Sequence, residues 1–233
     1  MEPPDILTAE SNLIDRNLTD RIAQIRAEIP PSVRLIAVTK TVSVAKMRLA
    51  YAAGIRDFGE NRVQEALEKQ SQLTDLPDIT WHLLGHLQSN KARSALKHFD
   101  WIHSLDSLPL AQRLAEIAST LPRTPQLCLQ IKLRPDPSKS GWELSALKEA
   151  LPHLAELPGL SICGLMTIPP QDSNTEEIIK IFEEARMLLP ELNSLSSLRF
   201  KELSLGMSGD YRLAIGSGST MVRLGRVLFG DRV

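Results

Sequence analysis

The stretch Leu35-Ile36-Ala37-Val38-Thr39-Lys40 decides the fold. Four apolar residues in a row predict a strand that is buried on both faces, as in parallel sheets. A lysine follows where the strand emerges. Because the carboxyl ends of parallel strands form the active-site side of barrels and open α/β sheets, Lys40 is a candidate reactive amine. The alternative interpretation is an ordinary solvated lysine, and this stretch by itself does not exclude it.

Helical patterns flank the strand on both sides. Apolar residues at three- and four-residue spacing predict an amphipathic leading helix over 5–28, which ends at Pro30-Pro31. After the strand, Ser43 is a candidate N-cap for a helix that runs to Ala53 and stops at Gly54. The region around the opening stretch is therefore a helix followed by one β-α unit.

The alternation of strand and helix continues along the chain. Seven further strand-like runs lie at 55–60, 80–84, 101–104, 127–132, 161–166, 202–205 and 222–224. Helical patterns lie between them, from 61 onward and at about 90–98, 108–119, 142–156, 174–189 and 208–215. In the 174–189 helix, Ser173-Asn174-Thr175-Glu176 is typical of a capping box.

Eight strands alternating with helices favour an α/β protein with a single closed (β/α)8 barrel. No long linker or change in composition interrupts the pattern, so we expect one domain over 1–233 with the leading segment 1–30 packed on the barrel. A doubly wound open sheet is the alternative. Its dinucleotide fingerprint would follow the first strand, whereas Gly216-Ser217-Gly218 comes late and precedes a strand.

Composition excludes several functional classes. The net charge is −1 and charged residues make up 24%, so we expect no nucleic-acid partner. No apolar run approaches the ~20 residues of a membrane span, and Met1-Glu2-Pro3-Pro4-Asp5 is unlike a signal peptide, which predicts a cytoplasmic protein. Cys128 and Cys163 lie in apolar runs and are predicted to be buried thiols. His82 and His86 lack further ligands, so no metal site is expected.

Small residues follow the last two predicted strands, where barrels most often hold phosphate. Leu205-Gly206-Met207-Ser208-Gly209-Asp210 follows strand seven, and Ser208 is expected to cap the next helix and to expose backbone N–H groups. Arg223-Leu224-Gly225-Arg226 lies at strand eight. Either loop alone is compatible with ordinary turn chemistry. Together with Lys40 they predict a site for a phosphate and a carbonyl, either a phosphosugar or pyridoxal 5′-phosphate.

Six runs resemble those of the pyridoxal phosphate homeostasis protein family. They are Ala37-Val38-Thr39-Lys40, Phe58-Gly59-Glu60-Asn61-Arg62-Val63-Gln64-Glu65, Trp81-His82-Leu83-Leu84-Gly85-His86-Leu87-Gln88-Ser89-Asn90-Lys91, Gly164-Leu165-Met166-Thr167, Leu205-Gly206-Met207-Ser208-Gly209-Asp210 and Val222-Arg223-Leu224-Gly225. The resemblance spans the chain beyond the leading helix. It implies a barrel similar to the N-terminal domain of alanine racemase (fold-type III), which holds pyridoxal phosphate with no established catalytic activity.

The resemblance also implies a cofactor site, which comprises Lys40, Asn61, Ser208, Arg223, Gly225 and Arg226. Lys40 would form the internal aldimine, and Arg223 would face the pyridine nitrogen. Ser208 and the backbone of Gly225 and Arg226 would hold the phosphate. The arginine at 226 departs from the small hydroxyl residue that is common in relatives, which leaves a backbone contact there.

Asn61 would reach the cofactor ring or its phenolic oxygen. The resemblance assigns no catalytic residue.

The chemistry of such a site favours holding over catalysis. Lys40 must lose its proton to attack an aldehyde, so we expect burial beside cationic Arg223 to lower its pKa. Arginine does not give up a proton to the pyridine nitrogen, which therefore stays neutral and is a weak electron sink. Racemisation also needs acid–base groups on both faces of the substrate, and no residues remain in the sequence for the racemase's second domain.

Three hypotheses about function follow. The first is a non-enzymatic carrier of pyridoxal phosphate, which serves vitamin B6 and amino-acid homeostasis through transient contacts with apoenzymes. The second is a small pyridoxal-phosphate-dependent racemase or lyase, and a lysine-dependent phosphosugar aldolase is a third. We expect a monomer. The polar segment 134–141 after strand five is either a mobile cover over the site or a long turn.

Overall fold

Eight parallel strands close into a barrel in the computed structural model, which describes the backbone of residues 6–230 and the side chains from residue 17 onward. The barrel strands are β1 (Arg34–Val38), β2 (Asp57–Glu60), β3 (Thr80–Leu83), β4 (Trp101–Leu105), β5 (Gln126–Lys132), β7 (Ser161–Met166), β8 (Glu202–Ser204) and β9 (Met221–Leu224). Neighbours pair in this order, and β9 returns to β1. The predicted (β/α)8 barrel is confirmed.

A two-residue strand, β6 (Trp142–Glu143), pairs with the end of β5 and lies outside the closed ring. It corrects the prediction of a helix over 142–156, because these two residues bond to Ile131 and Lys132 and the helix begins only after them.

Helices connect the strands and pack around the barrel. They are α1 (Ile6–Glu28), α2 (Val44–Ala52), α3 (Val63–Ser71), α4 (Ala92–His98), α5 (Leu108–Ala118), α6 (Leu144–Glu156), α7 (Thr175–Leu195), α8 (Tyr211–Gly216) and α9 (Arg226–Phe229), with a 3₁₀ turn at Ser89–Lys91. Each predicted helix is present. The short helix α9 was not predicted, since one turn is too short to show a helical period.

Helix α7 differs from its prediction at both ends. Its N-cap is Asn174, whose side-chain oxygen accepts a hydrogen bond from Glu177 N–H at 3.0 Å, so the predicted capping box on Ser173 is wrong. The helix also runs past 189 and through Pro190. Leu188 and Leu192 are buried on either side of this proline, and their packing holds the helix in place where local propensity would end it.

The leading helix α1 packs against helices that surround the barrel. Leu18, Ile22, Ile25 and Ile29 are buried at helical spacing against α2 and α9. Residue 5, where the prediction began this helix, lies outside the described residues.

Both cysteines are buried thiols, as the sequence indicated. Burial raises the pKa of Cys163 to about 11 and that of Cys128 well above its usual value, so neither is a reactive thiolate at neutral pH. Over residues 6–230, the helices are too short or too polar to cross a bilayer.

The packing of α1 gives a first testable prediction. Ile22 is 0% exposed, so Ile22→Ala should lower the free energy of unfolding by about 2–5 kcal/mol through lost contacts and a cavity. Gln24→Ala, on the exposed face of the same helix, should change it by less than about 0.5 kcal/mol. Urea denaturation followed by circular dichroism measures both values, and equal values for the two variants would contradict the packing of α1.

Candidate functional site

A cavity of about 410 Å³ opens at the carboxyl ends of the barrel strands. We call it the upper cavity. It is lined by Val38, Lys40, Asn61, Leu84, Ile168, Pro169, Pro170, Gln171, Ile178, Met207, Ser208, Gly209, Asp210, Arg223, Gly225 and Arg226. All six residues of the predicted cofactor site are among them. Its volume lies within the ~300–1,000 Å³ usual for small-molecule sites.

Lys40 follows β1, and its backbone is held on both sides. Thr41 has a positive φ of 62°, a strained conformation for a β-branched residue. The Thr41 N–H donates to Glu65 Oε1 at 2.6 Å, and the Thr39 carbonyl accepts from Lys69 Nζ at 2.7 Å. These bonds to α3 fix the direction in which the Lys40 side chain leaves the strand.

Lys69 is the centre of this support. Its buried ammonium also donates to Glu60 Oε1 at 2.8 Å and to Glu65 Oε1 at 2.7 Å, and Thr39 Oγ1 donates to Glu60 Oε1 at 2.7 Å. Burial raises the pKa of Glu60, against the lowering by Lys69 and Thr39. Although burial also acts to raise the pKa of Glu65, the hydrogen bonds from Lys69 and the Thr41 N–H leave it below its usual value. One cation thus joins two carboxylates and the end of β1.

Arg223, on β9, is 4% exposed and carries its charge within the cavity wall. Its Nη1 donates to Ser204 Oγ at 2.8 Å and to the Ser204 carbonyl, and its Nη2 donates to the Thr167 carbonyl at 3.1 Å. Burial lowers its pKa to about 10, so it stays protonated at neutral pH. These bonds use three of the five guanidinium hydrogens, and the other two remain as donors.

Ser208 does not cap the following helix, which corrects the prediction. Its Oγ instead accepts from the backbone N–H groups of Gly225 and Val227, both at 3.3 Å. Helix α8 begins only at Tyr211, because Asp210 Oδ1 accepts from the Met207 N–H at 2.5 Å and closes a turn before it. With both lone pairs of its oxygen engaged, the Ser208 hydroxyl meets an anion only as a donor.

Asn61 lies where two backbone segments approach closely. A Cβ at Gly85 would stand 2.2 Å from the Asn61 carbonyl oxygen, so glycine lets the loop after β3 lie against the residue. At Gly225, a Cβ would contact Val38 Cβ at 3.6 Å, which is an ordinary contact. Arg226 is exposed at the rim of the cavity, where its long side chain reaches solvent.

Several cavity residues had no predicted role. The segment 168–171 after β7 forms one wall, and Asp210 supplies a carboxyl whose pKa is raised by burial. The Pro169-Pro170 pair after a predicted strand was an available signal for a rigid wall. Asp210 lies at the end of the 205–210 motif, but its position near Arg223 depends on the tertiary structure.

The segment 134–141 is tied to its surroundings. Arg134 forms a bidentate ion pair with Glu184 at 2.8 and 2.9 Å, and Lys139 Nζ donates to the Pro169 carbonyl at 2.8 Å. Pro169 lines the upper cavity, so this segment supports its wall from outside.

Known proteins share this architecture. The family profile described as alanine racemase, N-terminal domain, matches residues 15–233. The pyridoxal phosphate homeostasis protein of Synechocystis sp. is 52% identical over 211 residues, which are 91% of this chain and 97% of that protein.

Solved structures agree with these matches. PipY of Synechococcus elongatus, solved with PLP bound, is 53% identical with a TM-score of 0.88, over 91% of this chain and 100% of PipY. Alanine racemase of Clostridium difficile has a TM-score of 0.74 at 16% identity, over 93% of this chain and 56% of the racemase, which is a likeness of fold.

The barrel and its profile match define the class, a barrel of the alanine racemase N-terminal type. Within that class, the chain belongs to the pyridoxal phosphate homeostasis protein family.

The support of Lys40 leads to a second prediction. Lys69→Met leaves two carboxylates without their shared buried cation, so it should lower the free energy of unfolding by about 3–5 kcal/mol. Lys46→Met, on the exposed face of α2, should change it by less than about 0.5 kcal/mol. Urea titration measures both, and a Lys69→Met protein as stable as the wild type would show that the network does not support β1.

Proposed function

We propose that this protein holds pyridoxal 5′-phosphate in the upper cavity through Lys40 and releases it to apoenzymes, without catalysing a reaction of its own. The observation that carries the proposal is that one cavity combines a lysine amine, a buried arginine with spare donors and a serine whose hydroxyl hydrogen is left as a donor. These groups match an aldehyde, a pyridine nitrogen and a phosphate, respectively.

Lys40 is the group that reacts with the aldehyde. Lys40 would hold the cofactor through its aldehyde group, because an amine and an aldehyde join with loss of one water and hydrolysis reverses the link. Because Lys69 and Glu65 hold the backbone on either side, the amine is presented from a fixed strand end. The bond is therefore both specific and reversible, as a carrier requires.

The phosphate fits the donors between β8 and β9. Ser208 lies against the backbone of Gly225, and Gly225 and Arg226 complete this side of the cavity. The ionisable side chains in the lining are Lys40, Arg223, Arg226 and Asp210, an excess of positive charge that favours an anionic ligand. We assign the phosphate to this side of the cavity, with Asn61 toward the ring.

Arg223 limits the chemistry that the bound cofactor supplies. The cofactor's usual contribution is to accept electrons from a substrate carbon, which requires a protonated pyridine nitrogen. Arg223 remains a charged donor, so a pyridine nitrogen placed beside it would accept its hydrogen bond and stay unprotonated. The arrangement supports binding and disfavours carbanion formation.

Acid–base groups for racemisation are also sparse among the described cavity residues. Tyr211 donates its hydroxyl to Glu28 at 2.6 Å, and Tyr51 donates to Asp78, so both hydroxyls point away from the upper cavity. Lys40 and Asp210 are the lining groups that remain for proton transfer. This supports the carrier hypothesis over the racemase hypothesis.

A third prediction tests the role of Lys40. Borohydride treatment of the protein with pyridoxal phosphate should fix one cofactor on Lys40, detected by peptide mass spectrometry, and Lys40→Ala should abolish the adduct and its absorption band. Lys46→Ala, an exposed lysine on α2, should keep both. A wild-type protein without an adduct, or an adduct that survives in Lys40→Ala, would refute the proposed attachment.

The absence of catalysis gives a fourth prediction. The loaded protein, incubated with a panel of amino acids in deuterated water, should exchange their α-hydrogens no faster than free pyridoxal phosphate does. Proton NMR measures the exchange, with alanine racemase as the positive control. Exchange at enzymatic rates that is lost in Asp210→Asn would instead support an enzyme.

A further inference from the structure

Five polar side chains form a continuous hydrogen-bonded chain through the barrel. His82 Nε2 is 2.9 Å from Asp57 Oδ1, and His82 Nδ1 is 3.0 Å from His103 Nε2. His103 Nδ1 is 2.8 Å from Ser204 Oγ, which accepts from Arg223 Nη1 at 2.8 Å. We call these five residues the interior chain. Four of the five residues are buried and less than 5% exposed, and the fifth, Asp57, is partly exposed.

The interior chain connects the two ends of the barrel. Asp57 is the first residue of β2 and lines a second cavity, of about 380 Å³, together with Arg34 at the amino ends of the strands. Arg223 lines the upper cavity. The bond between His103 on β4 and Ser204 on β8 joins strands that are not neighbours in the barrel, so it crosses the interior.

When both rings are neutral, the two ends determine where every hydrogen lies. Arg223 has only donors, and an ionised Asp57 has only acceptors. Ser204 therefore donates to His103 Nδ1, His103 Nε2–H donates to His82 Nδ1, and His82 Nε2–H donates to Asp57. Each ring then carries one hydrogen, on Nε2, and each donor finds an acceptor.

Burial supports the same assignment. It lowers the pKa of His82, against the opposing effect of Asp57, and it lowers that of His103 well below the usual value, with further lowering by the positive charge of Arg223. Two neutral rings in one tautomer transmit a change at Asp57 as a change in the strength of each successive bond.

We propose that the interior chain is a positioning relay, through which the carboxylate of Asp57 sets how firmly Ser204 holds Arg223 as a donor toward the upper cavity. The expected effect of the relay on the affinity for pyridoxal phosphate rests on the proposed function, in which Arg223 donates to the pyridine nitrogen. Asp57, His82, His103 and Ser204 are positioning residues, since none of them lines the upper cavity.

The fifth prediction concerns the protein without cofactor. Nitrogen-15 NMR of the wild type should show both rings protonated on Nε2, and Asp57→Asn should shift the side-chain N–H signals of Arg223. The double variant Asp57→Asn/Ser204→Ala should show the Arg223 signals at the same positions as the single variant Ser204→Ala.

Two controls match these variants. Ser104→Ala removes a buried serine hydroxyl on β4 that donates to the Gly85 carbonyl, and Asp78→Asn removes the exposed carboxylate that pairs with Arg56. Both should leave the Arg223 signals at their wild-type positions.

With pyridoxal phosphate added, Ser204→Ala and Asp57→Asn should raise the dissociation constant about three- to tenfold, the effect of weakening one hydrogen bond. Ser104→Ala should change it less than about twofold, because it is equally buried but lies outside the interior chain.

The outcomes separate the two proposals. The relay would be overturned if Asp57→Asn did not shift the Arg223 signals. It would also be overturned if Asp57→Asn shifted them equally in the presence and in the absence of the Ser204 hydroxyl. If Ser204→Ala does not fold, Asp57→Asn and Asp78→Asn decide by themselves, since a shift common to both also overturns it. A wild type that takes up no cofactor, but whose Arg223 responds to Asp57 only through Ser204, would refute the proposed function and leave the relay standing.

Discussion

The parallel pairing of β1 with β9 is the contact on which the rest of the structure depends. It sets Ile36 opposite Arg223 and Ala37 opposite Leu224, and so closes the barrel between the first and last strands. Without this closure, Lys40 and Arg223 would lie at opposite edges of an open sheet. With it, the amine at the end of β1, the guanidinium on β9 and the loop after β8 share one cavity. Closure therefore creates the site as well as the fold.

The closed barrel then has to accommodate charge in two places. Lys69 lies between the barrel and α3, where two carboxylates and the Thr39 carbonyl surround it. Arg223 lies inside the barrel, where carbonyls and the Ser204 hydroxyl hold it. Burying a charge costs free energy unless it is hydrogen-bonded, and apolar residues of similar volume often stabilise the folded state as well or better. Both are explained if they support the end of β1 and the cavity wall, which are the parts that would meet the proposed ligand.

The shared fold also explains how related barrels can differ in chemistry. The racemase of Clostridium difficile has the same barrel within a chain of which this protein covers 56%. A barrel that supplies a lysine and an arginine can hold an aldehyde cofactor, whereas racemisation also needs acid–base groups on both faces of the substrate. Here both tyrosine hydroxyls are engaged elsewhere, with Glu28 and Asp78. Under the proposed function, this scaffold serves binding without catalysis.

The sequence by itself determined the barrel and the six residues that line one cavity. The hydrophobic periods of buried strands and amphipathic helices can be read within short windows of sequence. The motifs lie at strand ends, and the fold class places these ends on one face of the barrel. Local patterns failed where a distant contact decided the outcome. The pattern around Ser208 is typical of a helix cap, but its hydroxyl oxygen accepts from the backbone N–H groups of Gly225 and Val227. Helix α7 continues through Pro190 because Leu188 before it and Leu192 after it are buried.

Only the tertiary structure decided the polar contacts inside the barrel. His82 and His103 lie in apolar runs, and the structure buries both side chains completely. Their hydrogen bonds to Asp57 and Ser204 join four different strands, and no spacing along the chain encodes such contacts. The physical reason is that strand periodicity specifies which face a residue occupies, whereas its partner across the barrel depends on how the ring of strands closes.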